Sequence, residues 1–147
     1  SGYIGGKTKN PNYQDVSAGI TGHTEAVEVV YDPQKVSYQT LLDTFWVNVD
    51  PTTNTGQFCD SGSQYRPGIF WHNPKQKSLA EASRQKIDNS QRFPKPVKVE
   101  ITQASTFYAA EDYHQNYYQT NPARYKYYRW ACGRDKRLKA LWGDLKK

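Results

Sequence analysis

Four stretches of the sequence carry side chains able to do chemistry. In Thr21-Gly22-His23-Thr24-Glu25-Ala26-Val27 a carboxylate opens one side of a strand that continues with Val27 and Val29. Partial burial there would disfavour the charged form, raise the pKa and suit Glu25 to general-acid work. A plain surface glutamate at a strand end is the simpler reading of the spacing alone. Gln57-Phe58-Cys59-Asp60-Ser61-Gly62-Ser63-Gln64-Tyr65-Arg66 is a polar loop feeding a strand, a common seat of active-site residues. In Ala110-Glu111-Asp112-Tyr113-His114-Gln115-Asn116-Tyr117, Glu111 and His114 stand three apart, a spacing that di-iron bundles use twice over. This chain has one copy and three histidines, His23, His72 and His114, so no metal site is expected. Last come the two cysteines. Cys59 precedes an acid, whereas Cys132 lies between Arg129 and Arg134, where positive charge favours the thiolate.

Several elements must position these groups. Residues 24–31 (TEAVEVVY) read as a strand ended by Asp32-Pro33. Ser37 suits the N-cap of a helix with the stripe Leu41, Leu42, Phe45, Trp46 and Val49. Residues 66–71 read as a second strand, and Asn73-Pro74 starts a helix running to about Ile87. Alternation of Val97, Val99 and Ile101 marks a third strand over 97–103. Residues 1–23 and 50–64 read as loop, 110–118 as a short helix, and 134–142 as a basic amphipathic one. The order β-α-β-α-β before a long irregular tail predicts a mixed α/β sandwich.

Composition bounds the rest. The 147 residues suit one domain, 1–147, with no linker or repeat. No apolar run approaches the ~20 residues of a membrane span. Two cysteines exclude a multi-disulfide scaffold, and no CxxC pair suggests zinc. Charge is concentrated: residues 124–147 hold 9 basic and 2 acidic side chains, while 1–123 are nearly neutral. Tyrosines crowd the same region, which could serve a single-stranded nucleic acid. No nucleic-acid-binding signature accompanies them, so a solvated basic tail is the favoured reading.

Taken together, these stretches resemble the A-type peptide methionine sulfoxide reductases. The match runs through GYIGG at 2–6, NPNYQDVSAGITGHTEAVEVVYDP at 10–33, LLDTFW at 41–46, DPT at 50–52 and QFCDSGSQYRPGIF at 57–70. It continues through EITQASTFYAAEDYHQNYYQTNPARY at 100–125 and YKYYRWACGRDKRLKALWG at 125–143. The resemblance implies an α+β protein, a two-layer α/β sandwich with a mixed sheet (a ferredoxin-like plait) and an irregular C-terminal tail. It implies thiol-dependent reduction of methionine-S-sulfoxide, free or in proteins, without metal or organic cofactor. Glu25 would protonate the sulfoxide oxygen, Tyr13 and Tyr65 would assist at that oxygen, and Asp60 would shape the site. His114, Tyr117 and Tyr125 match substrate-lining positions.

Two departures accompany the match. The family's nucleophile belongs to a Gly-Cys-Phe-Trp motif upstream of GYxGG, and this sequence starts at Ser1 without it. The expectation is a domain incomplete at its N-terminus, whose source polypeptide carries that motif; an inactive sulfoxide-binding pseudo-enzyme is the alternative. The family's resolving cysteine often follows the tyrosine matched by Tyr125, where Lys126 stands here. Cys132 is the candidate substitute, with Cys59 in reserve. The remaining expectations are a thioredoxin-like reductant, a monomer, a cytoplasmic location and no membrane contact.

Overall fold

A computed structural model describes residues 1–143. Its secondary structure is α+β. The chain opens with strand β1 (Gly2–Ile4), helix α1 (Tyr13–Ser17) and strand β2 (Thr24–Ala26). Helix α2 (Tyr38–Trp46) is followed by β3 (Gly56–Gln57), β4 (Asp60–Ser61) and β5 (Gly68–Trp71). Next are α3 (Pro74–Asn89), β6 (Glu100–Gln103) and β7 (Tyr108–Ala109), and then α4 (Tyr117–Thr120), α5 (Pro122–Ala131) and α6 (Arg134–Trp142).

Local signals set the two helices of the middle region where the sequence places them. Ser37 accepts a hydrogen bond from the Thr40 N–H at 3.0 Å, and Asn73 from the Gln76 N–H at 2.9 Å. Each cap satisfies an orphan donor of its first turn, and Pro74 needs no N–H there. One face of each helix then joins a common core with Ile69 of β5, which pairs in parallel with β6, and Val99, the residue before β6. Leu42, Trp46, Ala80, Leu138, Leu141 and Trp142 complete it. Both buried indoles are partnered: Trp46 Nε1 donates to Ser83 Oγ and Trp142 Nε1 to the Val49 carbonyl, each at 2.9 Å. Such partners remove the desolvation cost of burying an N–H.

The sheet differs from expectation. The described strands form an antiparallel trio in the order β2-β1-β7, a two-residue hairpin β3–β4, and the parallel pair β5–β6. They do not join into one mixed sheet, so the ferredoxin-like plait is not drawn among the described residues. Residues 2–4 are strand rather than loop, because they pair with both β2 and β7. β2 stops at Ala26 instead of reaching residue 31. Val27 and Val30 are 72% and 92% exposed there; no described strand lies alongside to accept their backbone bonds.

The C-terminal region is a second correction. Residues 117–142 are mostly three consecutive helices rather than an irregular tail. Leu138, Leu141 and Trp142 dock α6, which the sequence places over 134–142, onto the core, and that tertiary burial stabilises a short helix. The last basic residues of the charged tail, Lys146 and Lys147, lie outside the described residues.

Candidate active site

Hydrogen bonds from buried polar residues hold the region around Glu25 in place. His23 is 2% exposed; its Nδ1 accepts from the Gly6 N–H at 3.0 Å, so Nε2 carries the proton and donates to the Thr8 carbonyl at 2.7 Å. A Cβ at Gly6 would collide with the His23 backbone, so this approach requires glycine. Thr24 Oγ1 lies 3.2 and 3.0 Å from the Gln64 and Arg66 carbonyls, to which its O–H donates. Arg66 donates through Nε to Glu100 Oε1 at 2.7 Å and through Nη2 to the Gly22 carbonyl at 3.2 Å. Gln64 Nε2 donates to the Ser17 carbonyl at 2.9 Å, which ties the Tyr65 turn to the end of α1. Because Asn12 caps α1 and Tyr13 is its first residue, the same ties bring Tyr13 and Tyr65 toward one another.

Glu25 sits opposite Tyr3 in the β1–β2 register, on the same sheet face. Its residue surface is exposed, yet its carboxyl pKa is raised from the ordinary 4.5, first by desolvation and then by the negative charge of Asp60. Tyr65 is raised in the same way, by desolvation first and then by Glu25 and Asp60. The Tyr65 phenol, raised from an already high value, is a hydrogen-bond donor at neutral pH. The arrangement is two carboxyl groups beside phenols, with Glu25 shifted toward its protonated form.

A second cluster adjoins the first through Tyr13. Its ring centroid lies 4.6 Å from that of His114 and 6.5 Å from that of Tyr113. Glu111 accepts from the hydroxyls of Tyr3 and Tyr113, both at 3.2 Å. His114 Nε2 is buried without a hydrogen-bond partner among the described residues, and Glu111 Oε2 lies 3.8 Å away. An unpartnered buried ring nitrogen is available to a ligand atom.

The structure thus brings Glu25, Asp60, Tyr65 and Tyr13 together, with His114 alongside. It does not draw the other two aromatic residues into that group. Tyr125 Oη accepts from Arg129 Nη1 at 3.0 Å, and its ring faces Tyr118 at 6.1 Å. Tyr117 opens α4 and is 37% exposed. Among the described residues no hydrogen bond or ring contact joins either of them to Glu25.

Two features escaped the sequence reading. Cys132 is not a lone thiol but is bonded to Cys59, with Cα atoms 5.1 Å apart and a sequence separation of 73. Tyr128 donates its hydroxyl to Asp60 Oδ1, and its oxygen lies 3.7 Å from Cys59 Sγ. Neither feature leaves a local signal, since each joins α5 to a hairpin far upstream. The basic tail is also partly engaged: Arg134 lies over the Phe58 ring at 4.5 Å, and Arg137 contacts Asp50 at 3.3 Å. A cavity of about 350 Å³ opens between the hairpin and α6. It is lined by Asp60 and Cys132 but not by Glu25, Tyr13 or Tyr65, so it is not the acid site.

The family model described as peptide methionine sulfoxide reductase matches residues 1–146. The chain belongs to the peptide methionine sulfoxide reductase family. Over 142 residues it is 49% identical to the peptide methionine sulfoxide reductase MsrA of Listeria innocua, covering 97% of this chain and 80% of that protein. The fold is similar to that of Mxr1 from Saccharomyces cerevisiae in reduced form, with TM-score 0.77 and 30% identity over 83% of this chain and 70% of that one. It is also similar to methionine sulfoxide reductase A of Corynebacterium diphtheriae, with TM-score 0.71 and 35% identity over 82% and 62% of the two chains. The chain is accordingly an oxidoreductase whose function is methionine sulfoxide reduction. The comparisons lend nothing to a nucleic-acid-binding module or a sulfoxide-binding pseudo-enzyme. No helix among the described residues is long and apolar enough to cross a membrane.

Proposed function

We propose that the Glu25 cluster binds and protonates the oxygen of methionine-S-sulfoxide, free or in proteins. The observation that carries this is the raised proton affinity of Glu25 beside Asp60, with Tyr65 and Tyr13 close by. An S=O oxygen gains negative charge as its bond to sulfur breaks. Donors already in place at that oxygen lower the barrier more than they tighten ground-state binding. Glu25 supplies the proton, Tyr13 and Tyr65 supply hydrogen bonds, and desolvation followed by the charge of Asp60 raises the proton affinity of Glu25. His114, with its free ring nitrogen, and Tyr117 and Tyr125 are proposed to line the substrate.

The attacking thiol is proposed to be that of a Gly-Cys-Phe-Trp segment, which the 147 residues do not contain. Its thiolate attacks the sulfoxide sulfur, methionine leaves, and the oxygen remains on the cysteine as sulfenic acid. Cys132, once released from Cys59, attacks that sulfenic acid; a disulfide forms and water departs. A thioredoxin-like dithiol then opens the disulfide and is itself oxidised. This cycle suits a monomer in the reducing cytoplasm, where protein disulfides are usually transient and catalytic or redox-sensing.

The test uses the polypeptide with the Gly-Cys-Phe-Trp segment joined upstream. Glu25→Gln should lower the single-turnover rate on methionine-S-sulfoxide by about 10²–10⁴-fold. An unchanged rate would remove Glu25 from the chemistry. Cys132→Ser should retain single turnover with dithiothreitol and lose turnover driven by thioredoxin; full thioredoxin-driven turnover would rule out its resolving role.

A further inference from the structure

Two adjacent residues of the β3–β4 hairpin are tied to two residues one turn apart on α5. Cys59, in the hairpin turn, is bonded to Cys132, the C-cap of α5. Asp60, the next residue, accepts the hydroxyl hydrogen of Tyr128. The Cys132 N–H donates to the Tyr128 carbonyl at 2.9 Å, so the two anchor points on α5 share one helical turn. These ties run side by side, and Tyr128 Oη lies 3.7 Å from Cys59 Sγ. Tyr128 is half exposed, at 51%, so little apolar packing holds its ring in place. With so little burial, the hydrogen bond to Asp60 and the neighbouring covalent bond decide where its hydroxyl stands.

We propose that Tyr128 is a positioning residue for the Glu25–Asp60 acid pair, and that the Cys59–Cys132 disulfide is the clasp that keeps it there. The redox state of this cysteine pair is then read by the sulfoxide site. The inference rests on the reading of Glu25 as the proton donor. A phenol donating to Asp60 stabilises its charged form and orients it. Asp60 in turn acts on Glu25, so losing the phenol redistributes the protons of the pair and moves the Glu25 midpoint. Among the described residues, the groups facing this pair are Tyr3 from β1, Tyr65 from the turn before β5, Tyr128 from α5 and Arg134 from α6. Arg134 is the cation of this described set, and it is carried by the helix that follows Cys132. Opening the clasp would therefore loosen the attachment of both Tyr128 and Arg134 to the hairpin. Reduction by a dithiol is balanced: the S–S bond breaks, two thiols form, and the dithiol becomes a disulfide.

The test is a carboxyl-carbon NMR titration of the 147-residue chain, which needs no turnover. It compares oxidised and dithiothreitol-reduced samples of the wild type and of Tyr128→Phe. Oxidised Tyr128→Phe should move the Glu25 midpoint by roughly half a pH unit or more. Reduction should move the wild-type midpoint clearly and that of Tyr128→Phe by less, because only the contribution of Arg134 is then left to lose. An unmoved midpoint in oxidised Tyr128→Phe overturns the positioning role. Equal shifts on reduction with and without the phenol overturn the clasp. The indole N–H signals of Trp46 and Trp142 report whether each sample is folded. If the reduced chain loses them, the double variant Cys59→Ser, Cys132→Ser replaces it, and loss of fold there too overturns the clasp in favour of a purely structural bond. Activity separates the two readings. A proton-donor failure shows as normal reduction by Glu25→Gln, whereas a clasp failure shows only in the titration.

Discussion

The helical core and the acid site are built by different forces. Around α2, α3 and α6, eight buried residues pack in one cluster with further apolar side chains against them. Around Glu25 the buried apolar cluster among the described residues is Tyr3, Val16 and Ala110. That region is held instead by His23, Thr24, Gln64 and Arg66, each bonded to a backbone carbonyl or amide of another segment. Apolar packing is non-directional and supplies stability. Hydrogen bonds are directional, so they can fix where a carboxyl and two phenols stand. The cost is that polar groups desolvated for chemistry subtract from stability, and the core must offset this.

Perturbing each region in turn breaks or sharpens this contrast. The largest stability effect belongs to the core. Leu138 is fully buried, and Leu138→Ala should cost about 2–5 kcal/mol in chemical denaturation while leaving the Glu25 midpoint in place. A moved midpoint would show that the two regions are mechanically coupled. A smaller effect is expected at Thr24. Thr24→Val removes the donor to two carbonyls and should cost about 1–3 kcal/mol. Here the Glu25 midpoint should move as well, because β2 loses its tie to the Tyr65 turn.

The smallest effect has the opposite sign. Glu25 has a raised pKa in the fold, so its favourable contribution is complete below the ordinary 4.5 and is lost as pH rises through the higher folded value. At neutral pH the ionised form is therefore a burden on the folded state. Glu25→Gln should be slightly more stable than wild type at pH 7 and no more stable at pH 4. Solvent exposure of the residue limits the gain to a fraction of a kcal/mol, about the value of a surface charge pair. A loss of stability in denaturation at pH 7 would contradict the desolvation account.

How far these features could be read in the sequence follows from their range. The caps Ser37 and Asn73 and the helices they start were legible, since donor and acceptor are three residues apart. Glu25 was legible as a candidate through its place at a strand opening, and the motif TGHTEAV made the family resemblance specific. The extent of β2 was misread. Alternation in residues 24–31 reports fitness for a strand, whereas a strand also needs a neighbour to bond to. In the C-terminal region the helix over 134–142 was legible, whereas α5 was read as part of an irregular tail: it has no buried residue, and its ties to the hairpin join residues far apart in sequence.

By itself the sequence determined the family and offered Glu25, Tyr13 and Tyr65 as candidates for its chemistry, because residue types and short spacings carry that information. Tertiary structure alone decided that Cys59 and Cys132 are partners and that Tyr128 meets Asp60 across 68 residues. Chain closure over such distances costs only a slowly growing entropy, so sequence separation neither forbids nor announces these contacts. The packing of α6 against α2 and α3 selects them, by bringing the end of α5 over the hairpin that carries Asp60.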